Sequence, residues 1–123
     1  MPKIQGTLTV KSIEDKEVIP IKGIMTDSVW TLYDNQSIKY RFEYRDNVLK
    51  YDKISEEHLR FMFDVYRDTE ASYEIHHRKI GFLVKTKSVV VDKHDVFVKY
   101  DLFQGDDLLN SVEFALVCKD IEE

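Results

Sequence analysis

The residues most open to a chemical reading are two adjacent carboxylates, Asp106 and Asp107, in "FQGDDLL", and the four histidines, two of them together in "EIHHRK". Paired carboxylates can hold a divalent cation when further carboxylates converge on them from other strands. In an extended chain, however, neighbouring side chains leave on opposite faces, so two adjacent aspartates cannot close on one ion. Gly105 lies directly before them and apolar runs flank both sides, so a hairpin turn is expected here. His76 and His77, read as strand neighbours, point apart for the same reason, and His58 and His94 fall in expected turns. Zinc needs ligand pairs spaced to share a side, and none occurs. The sequence has no nucleophile elbow, phosphate-cradling glycine loop or dinucleotide fingerprint. Its four glycines, Gly6, Gly23, Gly81 and Gly105, are dispersed as bends or bulges would be. The expectation is a non-enzyme with no metal and no cofactor.

Composition narrows the class further. The 123 residues fit one domain, 1–123, with 43% hydrophobic and 33% charged residues, as in soluble globular proteins. The net charge is −5, and basic residues such as Lys22, Lys39, Arg41, Lys50, Arg60, Lys85, Lys87 and Lys99 are scattered along the chain. A nucleic-acid groove needs them clustered, so no nucleic-acid partner is expected. The single cysteine, Cys118, reads as a small core residue and suits a reducing compartment. No apolar run approaches the roughly 20 residues of a membrane helix. A cytoplasmic protein with no membrane partner is the expectation, and the sequence leaves its oligomeric state open.

The elements that would position any site are strands. In "SIKYRFEYR", Ile38, Tyr40, Phe42 and Tyr44 alternate with Lys39, Arg41, Glu43 and Arg45, giving one buried and one wet face. The same period recurs through Ile4, Leu8 and Val10 and through Val96, Val98, Tyr100 and Leu102. Turn residues punctuate these runs at 14–17, 34–37, 45–47, 92–95 and 104–107. The segment "SEEHLRFMFDVYRD" fits both a strand, through Leu59, Phe61, Phe63 and Val65, and a helix capped by Ser55. Its strand neighbours favour the strand. The result is an all-β protein: an antiparallel up-and-down closed barrel of about eight to ten strands, whose closure leaves no sheet edge exposed.

The block "IGFLVKTKSVVVDKHDVFVKYDLFQGDDLLNSVEFAL" resembles the C-terminal half of the YwiB-like family of uncharacterised bacterial proteins, in the calycin-like β-barrel superfamily. The resemblance rests on Gly81 before a strand carrying Thr86, a strand ending in Tyr100-Asp101, a loop with Gly105, and Asn110 opening the last strand. "LTVKSIEDKEVIPIKG" is similar to that family's opening hairpin, whereas "RDTEASYEIHHRK" lacks the glycine expected in its turn. The resemblance implies a lipocalin-like barrel without assigned activity; related calycins hold small apolar molecules inside.

The inward set read from alternation includes Tyr40, Tyr44, Phe63, Thr86, Ser88, Tyr100 and Asn110, with Val90 beside Ser88, and no charge among them. These residues are the candidate ligand-binding positions. The leading expectation is a barrel interior that accepts a small, neutral, apolar molecule. The alternative is a non-catalytic structural or protein-interaction module whose barrel is filled by its own side chains.

Overall fold

The computed structural model describes residues 2–121. Its strands are β1 (Lys3–Lys11), β2 (Lys16–Thr26), β3 (Val29–Tyr33), β4 (Lys39–Arg45), β5 (Val48–Ile54), β6 (His58–Phe63), β7 (Thr69–Ile75), β8 (Arg78–Asp92), β9 (Asp95–Gln104) and β10 (Asp107–Asp120). Each pairs antiparallel with its neighbours in sequence, and β1 pairs with β10, which closes a ten-stranded up-and-down barrel. Among the described residues, no helix is long and apolar enough to cross a membrane.

Left-handed turn residues make the hairpins tight. Asp27-Ser28, Asp46-Asn47 and His76-His77 all have positive φ at both positions, the type I′ geometry that matches strand twist. His76 and His77 are therefore the tip of the β7–β8 hairpin and not strand neighbours, and they fill the turn without the glycine that the family resemblance leads one to expect. His58 opens β6, so it too lies outside a turn, whereas His94 lies in the β8–β9 turn. The ambiguous middle segment is strand β6 as expected. It ends at Phe63, however, which leaves Val65 exposed on the β6–β7 loop instead of inward.

Two register shifts break the simple alternation. One, between Thr86 and Ser88 against β9, makes Lys87 a bulge; the other lies between Leu108 and Asn110. Past the first shift Val89 and Val91 pack on the core, while Ser88 pairs with Lys99 and Val90 with Phe97 on the outer face. The inward placement of Ser88 and Val90 is thus corrected: one extra residue moves every later side chain to the other face.

Two inward glycines shape the wall. A Cβ at Gly6 would lie 1.9 Å from the Val117 carbonyl oxygen, and one at Gly23 would lie 1.9 Å from that of Thr31. Only a missing side chain lets β1 fold this closely against β10 and β2 against β3. The end bearing the β2–β3, β4–β5 and β8–β9 turns is tied across by Trp30, fully buried, whose indole N–H donates to the His94 carbonyl at 3.0 Å.

Candidate functional site

The Gly105-Asp106 pair forms the two-residue β9–β10 turn, with Gly105 at φ 60°, and Asp107 already pairs with Gln104 as the first residue of β10. The turn reading of Gly-Asp-Asp holds. Among the described residues no three His, Cys, Asp or Glu side chains converge as metal ligands would. Replacing both aspartates by asparagine should shift unfolding free energy by no more than about 0.5 kcal/mol. A melting temperature that climbs with Mg²⁺ in the native chain but not in the variant would contradict this.

The interior is dominated by aromatic rings. Phe42 stacks on Tyr51 at 4.6 Å, and Phe61 stacks on both Tyr51 and Phe63. From β10, Phe114 reaches Tyr51 at 5.7 Å, Phe63 at 5.5 Å and Phe42 at 5.9 Å. In strand order β5 and β10 lie opposite one another, so the Tyr51–Phe114 contact spans the cross-section. Side chains from opposite walls meet at this level.

Polar groups collect between this plug and the end bearing the β1–β2, β3–β4 and β5–β6 turns. Tyr40 donates its hydroxyl to Asp34 Oδ2 at 2.9 Å. Thr86 and Tyr100 are cross-strand partners, and the buried Thr86 Oγ1 has no hydrogen-bond partner. Burial raises the Tyr100 hydroxyl well above its ordinary pKa. Burial does the same for Tyr51, with the neighbouring Tyr40 and Tyr100 hydroxyls and the charges of Glu17 and Asp52 adding to it. For Tyr40, burial leads and the hydrogen bond to Asp34 reinforces it. Burial works against ionisation of Asp34, but donors from Ile38 N, Gln36 N and Tyr40 outweigh it and hold the carboxyl below its ordinary value.

These shifts have a consequence for stability. Folded values raised above the ordinary 10 mean that the neutral hydroxyls contribute stability below pH 10, which is lost as pH rises through the folded values. Phenolate absorbance should show Tyr40, Tyr51 and Tyr100 ionising only together with alkaline unfolding. Ionisation of all seven tyrosines near pH 10 in folded protein would be the contrary result.

The candidate residues therefore separate. Tyr40, Phe63, Thr86 and Tyr100 line the interior, and Tyr51 joins them. Tyr44 lies towards the other end, half-buried, with its hydroxyl on Asn47 Oδ1 at 3.3 Å. Asn110 holds the β1–β2 turn, its Oδ1 accepting from Ile13 N at 3.2 Å. Ser88 is outside. Nor is the inner face free of charge: Lys53 pairs with inward Tyr40 and places its Nζ 5.8 Å over that ring, and Glu17 pairs with Val10. Alternation through Leu49, Tyr51 and Lys53 after the Asp46-Asn47 turn carries the signal for the two β5 residues.

Cys118 is buried, and burial, with the Asp95 charge adding, pushes its thiol up to about 12, as for an unreactive core residue.

Two larger depressions lie on the outside. One, of about 410 Å³, opens where β6–β7 pairing stops at Arg60 and Ser72, and balances Arg41, Lys50 and Arg60 against Glu43, Asp52 and Glu70. The other, of about 480 Å³, crosses β8, β9, β10, β1 and β2 and is lined by Lys11, Lys16, Lys99, Val90, Phe97 and Ala115, among others.

Neither a family model nor a curated protein matches the sequence. The fold is similar to that of the YwiB protein from Bacillus subtilis, known from a crystal structure, with a TM-score of 0.50 and 18% identity over 98% of this chain and 92% of that one. At that identity the likeness speaks for the fold alone.

Proposed function

We propose that this protein is a non-enzymatic, cytoplasmic interaction module that binds through the outer surface of a barrel filled by its own side chains. The observation that supports this reading is the contact of Phe114 with Phe42, Tyr51 and Phe63 on the far wall, which bridges the cross-section at the middle of the barrel. Trp30 ties the end beyond it.

A second reading has its own support. The Thr86 hydroxyl is buried without a partner beside Tyr100, and an orphan polar group of this kind is normally satisfied by protein, water or ligand. A small, neutral, mostly apolar molecule carrying one hydrogen-bonding group, entering past Lys53 and Tyr40, would satisfy it. This is a calycin-like use of the barrel, by fold-level analogy.

Thr86→Phe separates the two. In a filled interior a phenyl ring overpacks and should cost about 1 to 3 kcal/mol in urea unfolding. In an interior with room for a ligand, the ring occupies that room and stability is unchanged or higher. The second outcome would replace the module reading with the ligand reading.

A further inference from the structure

Lysines dispersed in sequence are brought together by the barrel. Across five strands the outer face carries Ser88, Lys99, Glu113, Lys11 and Lys16 as successive cross-strand partners. Two residues along each strand, a parallel row reads Val90, Phe97, Ala115, Thr9 and Val18. Val90 is 52% exposed, Phe97 40% and Val18 55%, so this second row is an open strip that is apolar except at Thr9. Lys99 lies 3.7 Å from Glu113, whereas Lys11 and Lys16 face each other directly across β1 and β2, and no ion pair links either to a described carboxylate. Like charges placed opposite one another are destabilising. The lysine row thus keeps an uncompensated positive charge on a chain whose net charge is −5.

The geometry points to an acidic amphipathic helix of a partner protein as the occupant of this groove, with its apolar face on the Phe97 row and its carboxylates over the lysine row. This rests on the surface-binding reading above. A helix is favoured because the barrel wall has its backbone paired here and offers no free edge; a strand laid on it would leave its own backbone unsatisfied, whereas a helix satisfies its own. Five strands of the closed wall follow an arc of roughly 19 Å at about 4.8 Å each, so the straight contact is at most that of about 13 helical residues. Glu113 interrupts the run of positive charge that a polyphosphate chain or an anionic bilayer would need, whereas a helix can place its carboxylates over the lysines alone.

The probe is a fluorescein-labelled 15-residue peptide with leucines at helical spacing and glutamates on one flank, measured by anisotropy against a version with lysines for the glutamates. The acidic peptide should bind at least tenfold more tightly. Phe97→Asp and, independently, Val90→Asp should each weaken it tenfold or more, and the Lys11→Glu, Lys16→Glu double variant should remove the preference for acid; circular dichroism confirms that each variant is folded. Equal binding of the two peptides, indifference to the Phe97 and Val90 changes, or tighter binding of oligo-dT or phosphatidylglycerol vesicles through the same lysines overturns the proposal. Failure of the surface-binding reading is distinct, because it shows as tolerance of Thr86→Phe with uptake of a ligand inside the barrel.

Discussion

Replacing Phe114 by alanine is expected to destabilise the barrel by about 3 to 5 kcal/mol, the range for deleting a well-packed core ring. The ring is buried, and its partners Phe42, Tyr51 and Phe63 come from three strands of the facing wall, so side-chain relaxation can close the gap only in part. Phe42→Ala should fall in the same range, since Phe42 is fully buried and stacked on Tyr51. Arg41, one residue earlier, faces outward with its guanidinium 3.6 Å from Glu43, and Arg41→Ala should cost no more than about 0.5 kcal/mol. Urea unfolding with unchanged m-values measures all three. Comparable costs for Phe42→Ala and Arg41→Ala would mean that β4 presents the opposite face.

Gly6→Ala is expected to cost about 3 kcal/mol or more, although it adds a single methyl group. That carbon would sit 1.9 Å from the backbone oxygen of Val117 and 2.8 Å from the Cα of Cys118, so the strand itself, not a side chain, must give way. Separating β1 from β10 adds lost ladder hydrogen bonds to the overpacking cost. Gly23→Ala meets the same obstacle against β3 and should behave alike. Gly81→Ala is the control, because its nearest neighbour would be the Ala71 oxygen at 4.0 Å. Equal stability of the Gly6 and Gly81 variants would show that the β1–β10 seam has room for a methyl group at Gly6.

These residues also show how far the sequence could be read. Strand β4 was legible because Ile38, Tyr40, Phe42 and Tyr44 keep one period between two turns, and period two reports which face is buried. The Gly105-Asp106 turn was legible for a similar reason, since a glycine between apolar runs has a local conformational cause. Strand β8 was not: "VKTKSVVV" alternates plausibly in either register, and the bulge at Lys87 depends on how β9 lies against it. Ser88 therefore changed sides while Thr86 kept its place. The lysine row was illegible for the same physical reason. Lys11 and Lys16 meet across the local β1–β2 hairpin, but Lys99 joins their row only because β1 closes on β10, a pairing between the two ends of the chain that no local pattern encodes. Tyr51 and Lys53 were within reach, because the Asp46-Asn47 turn fixes the register of β5 against β4.

The measurement that bears most directly on a self-filled interior is titration of the purified protein with a neutral, environment-sensitive naphthalene dye, paired with native mass spectrometry of the untreated protein. The expected result is a single mass matching the bare chain or whole multiples of it, with no saturable dye uptake that depends on position 86. A copurifying small molecule, or stoichiometric dye binding that disappears in Thr86→Phe while the barrel stays folded, would contradict it and make the interior the binding site.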